Sequence, residues 1–267
     1  MTDIPVFSGG SVRAVAPPPT ATKIPTFQPG KTLEEVRAEA PFDPQGGLVK
    51  AWSASALKKF ETCKYATYLK SVKKCADPSG EAANRGTQIH SMAEDYINGT
   101  TKFNQMPAEL RKFTGLMQDL REKHAEGVVV QEQNWGFDVN WNETGYFDKN
   151  IWLRAKLDVF LREDDTSARV IDWKTGKKFG NEIVHAGQGI IYTIATFKRY
   201  PELEHLSTEF VYLDHGETTV QRWTRKEAMR LAPRLNIRAT KMTSCVSFPP
   251  SPGPSQCCSP ASCSGGA

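Results

Sequence analysis

The sequence predicts an α/β fold, a mixed central sheet flanked by helices. Three observations carry this. Between residues 52 and 124, apolar side chains recur at helical spacing in three successive stretches. From residue 128 to 174 the period shortens toward two, the spacing of a strand. Beyond it, another helical stretch is followed by further β-rich sequence. Helices, three strands, a helix and another strand is the order of an α/β sandwich.

The elements follow in order. Trp52 to Val72 reads as a helix, with Leu57, Phe60, Lys64 and Tyr68 alternating with Tyr65 and Leu69, and Ser53 or Ser55 as its cap. Glu81 to Ile97 is a second helix with an apolar stripe of Ile89, Met92, Ala93, Tyr96 and Ile97, ended by Gly99. Pro107 to His124 is a third, carrying Leu110, Phe113, Leu116, Met117 and Leu120. Val128 to Trp141 reads as a strand, with a bulge or break expected at Gly136. Ile151 to Leu161 and Arg169 to Lys174 are strands that Glu163-Asp164-Asp165 would join as a hairpin. Glu182 to Tyr200 is a helix long enough to cover the sheet. Ser207 to Leu213 is a strand and Thr218 to Trp223 a short extended segment. Thr224 caps a last, basic helix that Pro233 is expected to kink or restart. No internal repeat is visible.

Composition sets the outer bounds. Residues 1–47, rich in Pro and Gly, read as a mobile tail; residues 48–243 form one domain; residues 244–267 are a Cys/Pro/Ser-rich C-terminal tail. No apolar run approaches a membrane span and no signal pattern opens the chain, so a cytoplasmic protein with no membrane partner is expected. Six cysteines in such a chain point to thiols or metal ligands rather than disulfides. The net charge of +4 decides little alone. Arg222, Lys226, Arg230, Arg234 and Arg238 recur every four residues, a spacing that draws one basic stripe along a helix; it suits a nucleic-acid backbone, and equally a solvated face.

The chemistry concentrates in Val170-Ile171-Asp172-Trp173-Lys174-Thr175-Gly176 and in Leu153-Arg154-Ala155-Lys156-Leu157-Asp158-Val159. On a strand, residues two apart share a face. Asp172 and Lys174 therefore look into one site while Trp173 faces away, and a hairpin would bring Asp158 alongside. Two carboxylates and a lysine can hold a divalent cation and activate a water beside a phosphate. Taken alone, each acid also reads as a solvated group at a strand end.

An acid on one strand followed by Asp-x-Lys on the next resembles the PD-(D/E)xK nuclease superfamily. Further motifs, in order, resemble its RecB-like branch: Ser53-Ala54-Ser55-Ala56-Leu57 through Phe60 and Cys63, then Arg85-Gly86-Thr87-Gln88-Ile89-His90, then Gln188-Gly189-Ile190-Ile191-Tyr192. The resemblance spans roughly residues 50 to 225. It implies a restriction-endonuclease-like core and a Mg²⁺- or Mn²⁺-dependent DNA nuclease, an exonuclease, working in recombination, repair or phage DNA processing. It implies Asp158, Asp172, Lys174, Gln188 and Tyr192 as catalytic residues. His90, Asp158, Asp172 and the Trp173 carbonyl would be the metal ligands, and Glu94 a candidate acceptor for His90. DNA, as single strands or duplex ends, is the implied partner. Lys156, which shares a strand face with Asp158, and Arg222, Lys226, Arg230 and Arg234 of the stripe are the candidate DNA contacts, with Lys177 and Lys178, which follow the Asp-x-Lys strand, as weaker ones.

The same branch includes nucleases in which one cysteine before the core and three after it hold an iron–sulfur cluster. Cys63, Cys257, Cys258 and Cys263, with the Phe248-Pro249-Pro250 lead-in, resemble that arrangement and imply a [4Fe-4S] cluster. The adjacent pair Cys257-Cys258 departs from the family spacing, so zinc and plain thiols stay open beside the cluster. A rival reading is a non-catalytic nucleic-acid-binding or scaffolding module that recruits a helicase or recombinase, for which the Pro-rich first 47 residues would serve.

Overall fold

A computed structural model describes residues 43–75 and 80–250. Helices α1 (Ala54–Thr62), α2 (Lys64–Thr67), α3 (Glu81–Ile97), α4 (Ala108–Arg111) and α5 (Thr114–Ala125) come first. Strands β1 (Val129–Phe137), β2 (Glu143–Thr144), β3 (Leu153–Arg162) and β4 (Ser167–Lys174) follow, then α6 (Glu182–Arg199), β5 (His205–Tyr212), β6 (Glu217–Thr224) and α7 (Arg225–Thr243). One six-stranded sheet runs β2-β1-β3-β4-β5-β6. Only β4 and β5 pair in parallel, with α6 as their crossover, so the sheet is mixed as expected.

Alternation along the strands builds two cores. Ile171 and Trp173 of β4, with Val159 and Leu161 of β3, pack against Ile89, Ala93 and Tyr96 of α3 and Met117 and Leu120 of α5. Val170 and Phe160 join Leu57 of α1, Ile194 and Phe197 of α6 and Leu235 of α7 in the other core. Helices thus cover both faces, and the strands between them are apolar on both sides.

The first predicted helix is not continuous. It stops at Cys63, whose backbone is extended (φ −153°, ψ 110°), and resumes as α2 and a π-helical turn over Tyr68–Val72. The third breaks between Arg111 and Thr114, where Phe113 leaves helical geometry (φ −114°, ψ 34°). Gly136 neither bulges nor breaks β1; a Cβ there would lie 2.8 Å from the Thr144 carbonyl, so the bare backbone is what lets β2 approach. Pro233 does not interrupt α7, whose buried Ala228, Ala232, Leu235 and Ala239 hold the helix to the core on both sides of it. Thr224 caps α7 through a reciprocal pair with Glu227.

The body begins earlier than residue 48. The Gly47 amide donates to the Thr243 carbonyl at 2.8 Å, and Gln45 Nε2 donates to the carbonyls of Lys50 and Ile151. It also runs past residue 243, since the Phe248 ring packs on Phe60 (6.2 Å) and Tyr68 (5.8 Å). The rest of both predicted tails lies outside the described residues, and with them Cys257, Cys258 and Cys263. Among the described residues no helix is long and apolar enough to cross a membrane.

Candidate active site

The β3–β4 hairpin builds the site. Its antiparallel register pairs Val159 with Ile171 and ends there. Just beyond, Asp158 Oδ2 accepts the Trp173 amide at 2.8 Å, so a carboxylate replaces the next rung of the ladder and is fixed by main chain. The Trp173 indole is buried in the core shared with α3, away from Asp172, as alternation requires.

Asp172 is 3 % exposed. Its Oδ1 accepts from Gln188 Nε2 at 3.1 Å. Its Oδ2 lies 2.5 Å from Lys174 Nζ, an ion pair, yet this buried oxygen has no well-aligned hydrogen-bond donor. Burial pushes the carboxyl up to about 6, with the Asp158 charge adding to the shift and Lys174 and His90 opposing it.

Gln188 and Tyr192, one turn apart on α6, close the site from that helix. Gln188 Oε1 accepts from Lys174 Nζ at 3.0 Å, and its Nε2 also donates to the Tyr192 hydroxyl at 2.5 Å. Tyr192 donates onward to the Lys156 carbonyl at 2.8 Å. Burial, with Asp172 and Asp158 nearby, raises the Tyr192 phenol well above its ordinary value, so it stays a donor. Asp172, Lys174, Gln188 and Tyr192 thus form one hydrogen-bonded unit on two elements.

From the other side, α3 delivers His90. A Cβ at Gly86 would lie 2.9 Å from Thr175 Oγ1, so glycine lets the helix sit against the turn that follows Lys174. Arg85 fastens the same contact: it donates to Asp214 at 2.6 and 3.0 Å, and Asp214 accepts the Gly176 amide at 2.6 Å. His90 Nδ1 stands 3.5 Å from Asp158 Oδ1. Burial disfavours its charged form, but the Asp158 hydrogen bond and the Asp158 and Asp172 charges outweigh this and raise its pKa. The carboxylate facing His90 Nδ1 is thus that of Asp158 rather than that of the candidate Glu94.

One acid was missed by the sequence reading. Glu132 of β1 lies between the pairs Gln131–Val159 and Gln133–Leu157, directly across from Asp158. Its φ is +48°, a left-handed conformation that is strained for a side-chain-bearing residue in a strand. Ligand atoms of His90, Glu132 and Asp158 all lie within 4.8 Å of one another. The available signal was the polar interruption Gln131-Glu132-Gln133 after Val128-Val129-Val130, on the strand that neighbours Asp158. A hard-oxygen set with one imidazole, and the buried Asp172 oxygen lacking an aligned donor beside it, fits Mg²⁺ or Mn²⁺.

The basic candidates divide. Lys156 Nζ is held by Glu132 at 2.5 Å, and Lys178 by Glu217. Arg222 is not on the helix; it sits on β6 opposite Ser207, so the predicted stripe is interrupted at its start. Lys226, Arg230 and Arg234 are exposed along α7, while Arg238 pairs with Glu61 at 2.7 Å. Cys63 is buried at the α1–α2 break, next to the helix on which Phe248 packs.

The family model for the PD-(D/E)XK nuclease superfamily matches residues 51–264. Among solved structures, a "putative exonuclease" from Eubacterium rectale is similar over 86 % of this chain and 93 % of its own, at 13 % identity and a TM-score of 0.47. A phage-related exonuclease from Haemophilus somnus 129PT is similar over 73 % of this chain and 93 % of its own, at 13 % identity and a TM-score of 0.30. A search of curated proteins finds no match.

Proposed function

The chain belongs to the PD-(D/E)XK nuclease superfamily, and from that premise we propose that it is a divalent-metal-dependent DNA exonuclease of the RecB-like branch. The observation that carries the reading is the convergence of His90, Glu132 and Asp158 beside a buried Asp172 that is tied to Lys174. His90, Glu132, Asp158 and Asp172 would hold Mg²⁺ or Mn²⁺, with the Trp173 carbonyl as a further ligand. The ion supplies Lewis-acid activation of water and neutralises phosphate charge.

The remaining roles belong to side chains of this chain. Lys174, whose ammonium sits between Asp172 and Gln188, would offset negative charge developing on the scissile phosphate and orient the attacking water. Gln188 holds Lys174 and Asp172 in register through opposite ends of one amide. Tyr192 fixes which way that amide points, because its hydroxyl accepts from Gln188 Nε2 and donates to the Lys156 carbonyl. Water adds to phosphorus and the P–O bond to the leaving nucleotide breaks, giving a phosphate and a free hydroxyl.

The test is degradation of end-labelled single- and double-stranded DNA with Mg²⁺, Mn²⁺ or EDTA, by wild type and Asp172→Ala. Metal-dependent cleavage that is lost in the variant is expected, and a product ladder shortening from one end establishes exonucleolytic polarity. Folded protein that cleaves nothing with either metal overturns the enzymatic reading and leaves a nucleic-acid-binding or scaffolding module.

A further inference from the structure

Beside the catalytic unit opens a cleft of about 650 Å³; Gln188 and Tyr192 belong to both, and Lys156 lines the cleft next to them. Away from the carboxylates its character changes. Ser53 and Ser55 contribute hydroxyls, Lys58 and Arg154 contribute cations, and Tyr146 and Ile183 contribute apolar surface. The charges are not equivalent. Arg238 is neutralised by Glu61 and Lys156 by Glu132, whereas among the described residues neither Lys58 nor Arg154 is ion-paired.

Arg154 is held in place without being neutralised. Its Nε donates to the Tyr146 carbonyl at 2.9 Å, and its guanidinium lies over the Tyr146 and Phe147 rings at 5.7 and 5.9 Å. The two rings meet edge to face at 5.1 Å. Phe147 is 87 % exposed and Ile183 89 %, so neither is there to fill a core. The result is a platform of two rings from the loop before β3 and the Arg154 guanidinium at the start of that strand, next to a cleft with uncommitted positive charge that reaches Gln188 and Tyr192.

An unpaired nucleotide matches this combination: its phosphate meets Lys58 and Arg154, and its base has an open π-face for a ring or guanidinium plane. In a duplex both faces of each base are covered by neighbours, and the rings would have nothing to stack on. The volume is that of a small-ligand site, on the scale of a nucleotide or two. We propose that this cleft holds unpaired nucleotides flanking the scissile phosphate, so that the substrate is a single DNA strand. The proposal rests on the nuclease reading above.

Fluorescence anisotropy of labelled oligothymidylate and of a blunt duplex, with the full chain in EDTA, measures the preference without cleavage. The single strand is expected to bind about tenfold tighter or better. Phe147→Ser and Lys58→Ala, both at exposed positions, are each expected to weaken it by roughly five- to tenfold while leaving duplex binding within about twofold. Photo-crosslinking of 4-thiothymidine oligonucleotides is expected to label the peptide containing Tyr146 and Phe147. Equal or tighter duplex binding overturns the proposal, as does single-strand binding that neither substitution changes. The same proteins assayed for cleavage in Mn²⁺ separate the two claims. Cleavage with a duplex preference removes the cleft assignment alone. A single-strand preference without cleavage removes the nuclease and leaves the cleft a strand-binding site.

Discussion

Replacing Asp172 by asparagine should stabilise the metal-free protein while abolishing cleavage. The carboxyl is buried and its pKa rises from 3.8 to about 6. At about 1.36 kcal/mol per pKa unit, ionising it in the fold costs about 3 kcal/mol. A raised acid leaves stability intact below the unfolded value and withdraws it as pH climbs through the folded one. The cost therefore grows between pH 3.8 and about 6 and is complete above that. Asparagine removes the charge, but it offers one acceptor oxygen where Gln188 and Lys174 now approach two. Losing a contact to a charged group returns about 1.5–3 kcal/mol. Lys174 keeps Gln188 Oε1 at 3.0 Å, which places the return near the lower end. The net gain is about 1 kcal/mol, or a rise in Tm of about 2–4 °C. Thermal and urea unfolding in EDTA at pH 7.5 and again near pH 4 reads it: the difference should be present at the first pH and fade toward the second. Added Mn²⁺ should then stabilise wild type more than the variant. A variant less stable than wild type by more than about 1 kcal/mol in EDTA at pH 7.5 would refute the reasoning, because Asp172 would then be a satisfied half of a structural ion pair and not an acid strained by its site.

Two further outcomes follow from the same geometry. Glu132→Gln keeps shape and removes one anionic ligand, so the Mn²⁺ concentration for half-maximal cleavage should rise on the order of 10–100-fold, with metal-free stability little changed; an unaltered Mn²⁺ titration would exclude Glu132 from the metal site. His185, whose Nδ1 shares a hydrogen bond with the Tyr212 hydroxyl at 2.9 Å, has a pKa depressed to about 4 by burial, Lys174 and Lys58. Between pH 6.5 and about 4 the unfolded chain takes up a proton that the fold refuses, so stability present above pH 6.5 is lost as pH falls. The shift sets an upper limit of about 3 kcal/mol, which screening by water at this half-exposed ring reduces to about 1 kcal/mol. Urea midpoints of His185→Gln should therefore vary less across that window than those of wild type, and parallel curves would count against the assignment.

The parts of the site that could be read in sequence are those fixed by local geometry. Strand alternation alone places Asp172 and Lys174 on one side and Trp173 on the other, and helical spacing alone puts Gln188 and Tyr192 together. The hairpin bringing Asp158 to them follows from two short apolar runs and an acidic turn. What sequence left hidden depends on tertiary partners. Apolar spacing continues through Cys63, so periodicity gives no sign that the backbone there turns extended. Proline is read as a break, yet α7 passes through Pro233 because its buried alanines and Leu235 are anchored on both sides. Glu132 is one acid among many until the β1–β3 register sets it across from Asp158.

The basic residues show why spacing is a weak guide to a charged surface. Arg222 to Arg238 recur every four residues, but a four-residue period draws a stripe only while one helix contains all of them. Thr224 caps α7 two residues after Arg222, and the β5–β6 ladder claims Arg222 first. At the other end, Glu61 neutralises Arg238, the one member that reaches the catalytic cleft. Lys58 and Arg154, on α1 and β3, share no sequence period. They line the same cleft without ion-pair partners among the described residues. For a phosphate approaching Asp158 and Asp172, what counts is positive charge that is both near and uncommitted. On that criterion these two residues, and not the stripe, are where the strand should be held.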